Sequence, residues 1–383
     1  MKIYNENDFI KLIRNNIKPL SEKEFMKTQG INKLWDTFKD DDIRKTYFNN
    51  AEEFKKWYYD FLHNDEPLKL FFKKRLEFRE HQPFKKIQFK NNELPNEANS
   101  VKFLRNVNLN SILEAKNYKN ENIHIYYKKA LEKGRNLTFV TVPSVFEKSI
   151  KENYENYVVT LKTTTQLPSI FSPKVYYTLI DEIVNMFEMK DIKILIPTAS
   201  WGSPILALEK SNKFTDVHIV DVQNDVLKVC EDIYYYIYDN DFFDTPFDLK
   251  TFCTPSEKMS EVTDDDYDMI FFCPPYYDLE LYGGSDEQST TLYNTYEDWL
   301  KGYWEETVKE SYKVLKKGGV FSFTMTNYAL NKHMYKDMLK IAEKYFNFKE
   351  KYHIIPRSEI TKKSNNRNDS EEKFEICSIL IKE

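Results

Sequence analysis

The sequence predicts an α/β chain: a mostly helical N-terminal region, then a seven-stranded, mainly parallel sheet wrapped by helices. Three observations carry this. From about residue 165, short β-rich apolar runs alternate with amphipathic helical patterns, the grammar of βαβ units. The last two runs are joined by a polar stretch without helical periodicity, so the final strand is expected to return antiparallel beside its neighbour. Before residue 150, apolar residues recur three and four apart, the spacing of helices.

The N-terminal helical patterns are NDFIKLIRNNI (7–17), AEEFKKWYYDFLH (51–63) and SILEAKNY (111–118). Pro67, Pro83 and Pro95 divide this region into short pieces, and NNELPNEANS (91–100) reads as an exposed loop. The strand-like runs are IKILIP (192–197), DVHIVDV (216–222), LKTFC (249–253), YDMIFFC (267–273), GVFSFTM (319–325), KYHIIP (351–356) and EICSILIKE (375–383). Between them lie helical patterns such as PKVYYTLIDEIVNMF, SPILALEKS, NDVLKVCEDIYYYIY, YEDWLKGYWEETVKESYKVL and NKHMYKDMLKIAEKYF. The polar loop RSEITKKSNNRNDSEEK separates the last two strands. Two domains are expected, residues 1–150 and 165–383.

Composition narrows the class. No run approaches the eighteen or so apolar residues of a membrane span, and MKIYNENDFI lacks a signal-peptide core. The 4 cysteines are scattered without a Cys-x-x-Cys pair. They are expected to be reduced thiols of an intracellular protein, neither a disulfide framework nor a zinc site.

Charge is unevenly divided. Residues 1–150 hold 29 Lys and Arg against 21 Asp and Glu, net +8; the remainder holds 27 against 40, net −13. The densest basic segment, Pro67 to Lys90, carries eight Lys and Arg, among them Lys73, Lys74, Arg75, Arg79, Lys85 and Lys86. Phe71, Phe72, Phe78, Phe84 and Phe89 are interleaved with them. Such a segment can neutralise phosphates and stack on bases. It can equally be an amphipathic element with its Phe residues in a core. Both readings stand at the level of sequence.

In open α/β sheets, ligands bind at the carboxyl ends of the strands. The first strand ends in PTASWGSP (197–204), which offers Pro197, Thr198, Ala199, Trp201 and Gly202. Gly202 would let backbone approach a ligand closely. The second ends in Asp221 and Val222, and an acidic residue there can accept from a ribose diol. The third leads to TPSEKM, with Ser256 and Glu257. The fourth ends in Cys273, Pro274, Pro275 and Tyr276. Proline is excluded from central strands, so this pair marks a strand's exit.

This order of tips resembles the S-adenosylmethionine-dependent nucleic-acid amino-methyltransferases, whose X-Pro-Pro-Tyr motif acts on adenine N6 or cytosine N4. VLKKGGVFSF (314–323) is similar to the family's later hairpin-and-strand motif. LPSIFSPKVYYTLI (167–180) is similar to its segment before the first strand, with Phe171 at the aromatic position over the cofactor. The resemblance covers about residues 165–383. It implies a Rossmann-like methyltransferase sheet, S-adenosylmethionine as cofactor, DNA as favoured partner, and no metal or membrane. The N-terminal half is then the expected specificity element.

The motif suits the chemistry. An exocyclic amine is a poor nucleophile because its lone pair is conjugated with the ring. Two acceptors on its hydrogens free that pair: the first motif side chain and the Pro274 carbonyl. Pro275 keeps Pro274 extended, which aims that carbonyl. Tyr276 offers a stacking face, and a base reaches such a crevice only flipped or single-stranded. Cys273 stands where the family carries Asp, Asn or Ser, and a thiol is a weak acceptor. Ile196, Ser200 and Pro204 also depart from the family's first motif. Three readings follow: an amino-methyltransferase on DNA, a methyltransferase-like binder without catalysis, or an enzyme acting on RNA or a protein amide.

Overall fold

The computed structural model describes residues 1–29, 32, 35, 48–82, 85–89, 92–95, 100–117, 119–134, 167–209, 211–242, 246–263, 266–283, 285–327, 333–355 and 374–383. The expected loop 357–373, and Phe84, Lys90 and Gly284, lie outside them.

The chain forms two units. One comprises Lys2–Arg79 and Arg105–Pro168 and is mainly helical where described, with a two-residue strand at Lys116–Asn117. Its helices include Glu6–Arg14, Ala51–His63, Glu66–Arg75 and Ile123–Lys133. Asn5 caps the first through a reciprocal box with Asp8, and Asn50 caps the second. Phe9, Phe25, Phe54, Tyr58, Phe71 and Tyr127 share one core. Pro67 begins a helix here rather than breaking one, because proline's missing N–H costs nothing in the first turn.

The other unit comprises Met1, Glu80–Leu104 and Ser169–Glu383. Its main sheet is built of β1 (Glu93–Pro95), β2 (Ile192–Ile196), β3 (Phe214–Asp221), β4 (Asp248–Cys253), β5 (Tyr267–Phe272), β6 (Leu315–Met325), β7 (Asn347–Ile355) and β8 (Glu375–Ile381); a two-residue strand, Glu280–Leu281, lies outside it. They lie in the order β1-β7-β8-β6-β5-β2-β3-β4. β4, β3, β2, β5 and β6 run parallel. β8 inserts antiparallel between β6 and β7, as the missing helix before it predicts. This is a Rossmann-like sheet with the antiparallel last strand expected from the sequence. The central strands read as unbroken apolar runs because both faces are covered.

The eighth strand was not legible. NNELPNEANS reads as a loop, yet Glu93–Pro95 pair parallel with His353–Ile355 at the sheet edge. Pro95 is tolerated because an edge strand needs partners on one side only. Residues 80–104, which the charge count groups with the N-terminal half, thus belong to the sheet-bearing unit. A buried pair anchors them: His81 Nε2 meets both Glu209 carboxylate oxygens at 2.7 and 2.8 Å, and Nδ1 meets Ser100 Oγ at 2.5 Å. No helix among the described residues is long and apolar enough to cross a membrane.

Candidate active site

Strand order brings the expected tips together. β2 lies between β5 and β3, so the turn after β2 touches both of its neighbours' ends. The Thr198 hydroxyl donates to the Cys273 carbonyl at 3.1 Å. The Ala199 N–H donates to Asp221 Oδ2 at 3.0 Å. The short turn from Pro197 to Ala199 therefore clamps the ends of β5 and β3 to one another.

Ser200, Trp201 and Gly202 then run through left-handed backbone, with φ of 45°, 60° and 86°. A side chain on Gly202 would place Cβ 2.6 Å from Ile233 Cδ1 on the helix Asn224–Asp239. Packing and positive φ both require glycine here. Trp201 is buried and sets its ring edge-on to Tyr282 at 6.0 Å. The Ser200 hydroxyl is buried without a hydrogen-bond partner, a polar group left over at the loop.

Asp221 is held by backbone. Oδ2 takes the Ala199 N–H and Oδ1 the Gln223 N–H at 2.9 Å. Burial raises the Asp221 pKa above the ordinary value and these N–H groups pull it back. Each carboxylate oxygen keeps a further lone pair for a ligand hydroxyl. Val222 is half-buried beside it. Ser256 is buried at the head of a short 3-10 turn, and Glu257 accepts from the Tyr293 hydroxyl at 3.2 Å. Burial also raises Glu257.

Phe171 precedes the helix Pro173–Met186 and packs edge-on to Tyr176. Its carbonyl accepts from the Ser203 hydroxyl at 2.7 Å, tying this segment to the helix that starts after the β2 turn. Ser169 N–H donates to Glu280, whose other oxygen takes the Tyr282 hydroxyl at 2.7 Å.

The Cys273–Tyr276 turn leaves β5 with Pro274 buried and Cys273, Pro275 and Tyr276 half-buried. Two residues that sequence reasoning missed sit against it. Thr324 on β6 reaches Cys273 Sγ through its hydroxyl at 2.7 Å. Glu375, the first residue of β8, accepts from the Tyr276 hydroxyl at 3.0 Å. Burial pushes Glu375 up to about 7. It pushes the Cys273 thiol well above its ordinary value, so the sulfur carries its proton. An acidic residue opening a terminal strand reads in sequence as a solvated flank; only the insertion of β8 beside β6 brings it inward.

The basic segment divides between the two units. Phe71 and Phe72 are buried in the helical core, so neither is a stacking platform. Phe89 packs on Tyr352 at 4.9 Å. Lys73 and Arg79 are exposed on one unit and Lys85 on the other, while Lys74 and Arg75 are half-buried. Lys86 pairs with Asp181 at 2.7 Å and Glu182 at 3.3 Å.

No family model matches the chain, and no curated protein matches its sequence. Solved structures do. One is N-methyltransferase NodS from Bradyrhizobium japonicum WM9 in complex with S-adenosyl-L-homocysteine: 10% identity, TM-score 0.36, covering 55% of this chain and 86% of that one. TrmN from Thermus thermophilus is similar at 10% identity and TM-score 0.35, over 54% of this chain and 49% of that one. An S-adenosylmethionine-dependent methyltransferase from Clostridium acetobutylicum ATCC 824 is similar at 14% identity and TM-score 0.37, over 55% and 92%. What the site can do follows from its own residues.

Proposed function

We propose that the chain is an S-adenosylmethionine-dependent methyltransferase acting on the exocyclic amine of a base in nucleic acid, DNA before RNA. The observation that carries this is the clamp after β2, which sets Cys273-Pro274-Pro275-Tyr276 on one side and Asp221 on the other. The residues suit the cofactor. Asp221 is fixed with lone pairs to spare for a ribose, and Ser200 has a hydroxyl in need of a partner. Phe171 and Ser256 fit the adenosine's surroundings by position. When bound, S-adenosylmethionine supplies a methyl group on a sulfonium, already activated toward a nucleophile.

The chain's own part is orientation. The Pro274 carbonyl and the Cys273 sulfur would accept the two amine hydrogens and keep the nitrogen lone pair free. Tyr276 would cover the base, with its hydroxyl fixed by Glu375. Lys73, Lys74, Arg75, Arg79 and Lys85 are proposed to meet phosphates, with affinity falling as salt rises.

The experiment is methyl transfer from tritiated S-adenosylmethionine to denatured DNA, duplex DNA and RNA, followed by nucleoside digestion and mass detection. N6-methyladenine or N4-methylcytosine from denatured DNA is the expected product. Tight cofactor binding with no labelled nucleoside from any of the three would sink the catalytic reading. A binder without catalysis would then be favoured, consistent with the weak acceptor at Cys273.

A further inference from the structure

Three side chains of the sheet-bearing unit, none of them in the Cys273–Tyr276 turn, form a hydrogen-bonded line. The Ser100 hydroxyl lies 2.5 Å from His81 Nδ1, and His81 Nε2 lies 2.8 and 2.7 Å from the two oxygens of Glu209. His81 and Glu209 are fully buried, while Ser100 is half-buried. Proton positions follow from Glu209. With Glu209 ionised, its carboxylate only accepts, so Nε2 carries a hydrogen and donates it there. A neutral imidazole then keeps its lone pair on Nδ1, which accepts from the Ser100 hydroxyl. A hydroxyl thus sits on a base, and a third group fixes that base, which is the arrangement that activates a nucleophile.

We propose that Ser100 is a nucleophile that takes an acyl group from a small apolar carboxylic ester, with His81 as its base and Glu209 as the positioning residue. The backbone marks the same serine. Ser100 has a φ of 58°, in the left-handed region that a residue with a side chain enters at a cost. A nucleophilic serine on a strained turn ahead of a helix is a recurrent device, and Ser100 directly precedes the helix Val101–Val107. Aromatic rings wall the histidine. Phe103 and Phe242 each lie 6.1 Å from its ring, and Tyr236 packs on both, at 5.3 and 6.2 Å. An apolar acyl chain suits such walls, and a charged one would be desolvated there without a partner.

The step balances. Ser100 Oγ bonds the ester carbonyl carbon while its proton passes to His81 Nδ1. The bond from that carbon to the alcohol oxygen breaks, and the alcohol leaves with the Nδ1 proton. Water then attacks the acyl-serine and gives one proton to Nδ1. The acid departs, and Nδ1 returns its proton to Oγ. Glu209 keeps the Nε2 hydrogen throughout and steadies the imidazolium between the two transfers.

The test traps the serine. The full chain is treated with a fluorophosphonate, which loses fluoride as its phosphorus bonds a nucleophilic serine, and the adduct is located by peptide mass spectrometry. Ser100 should carry it, formed at least about tenfold faster than at any other serine of the chain. The chain should also release nitrophenolate from nitrophenyl butyrate. Ser100→Ala leaves the His81–Glu209 contact in place and should abolish that release. His81→Gln should slow labelling of Ser100 about a hundredfold. Glu209→Gln should slow it about tenfold, and Glu209→Asp should restore part of the loss, with circular dichroism showing each variant folded. No adduct on Ser100, labelling no faster than at other serines, no nitrophenolate from the wild type, or release that survives Ser100→Ala each overturns the proposal. None of these four outcomes depends on a variant of the buried pair folding.

Discussion

Two half-buried carboxyls flank the Cys-Pro-Pro-Tyr turn, and they are held in opposite ways. Asp221 is gripped by the N–H groups of Ala199 and Gln223. Backbone donors cannot turn round, so its lone pairs point in fixed directions. Glu375 is held by the Tyr276 hydroxyl, which can rotate. Burial raises both, Glu375 to about 7. Backbone donors suit a group that must present one face to a ligand. A hydroxyl donor can rotate, so the carboxyl it holds can gain or lose a proton without losing the contact.

The comparison can be broken hardest at Asp221. Asp221→Asn must set an NH2 against a backbone N–H and lose charge-assisted bonds, costing about 2–4 kcal/mol in urea denaturation. Cofactor affinity should fall with it. Glu375 offers a subtler test through pH. The folded chain holds its proton more tightly than the unfolded chain, whose carboxyl titrates near 4.5. Its contribution to stability is therefore complete below about 4.5 and lost as pH rises through about 7. The wild type minus Glu375→Gln difference should fall by up to about 3 kcal/mol across that window, less what solvent screens at a half-buried site. The smallest effect is expected from Tyr276→Phe. It removes the Tyr276 donor from Glu375, costs about 1 kcal/mol, and raises the pH at which the wild-type stability difference falls, because a bond favouring the ionised form is gone.

Much of this was legible in the sequence. The seven apolar runs became seven strands, because central strands of a covered sheet are continuous apolar stretches. The tips at Asp221 and Cys273 were visible because aspartate and paired prolines are conspicuous after such runs. β1 was not, since three residues of Glu-Leu-Pro carry no period. Phe71 and Phe72 could be read as stacking faces or core, and only the packed helix decides. Glu375 and Thr324 were hidden for another reason. Each is ordinary within its own strand, and the placing of Glu375 against the Cys273–Tyr276 turn depends on β8 being threaded between β6 and β7.

The edge pairing of Glu93–Pro95 with His353–Ile355 has a consequence for how the chain is made. The covering segment leaves the ribosome long before the edge it covers exists. Until the last strands emerge, it must wait unpaired. A shortened chain begun at residue 105, as one might cut to isolate the sheet, would fold with β7 bare along one side. Bare edges recruit other chains. Such a fragment should self-associate more than the full chain, with Glu93–Pro95 acting as a stopper for the far edge.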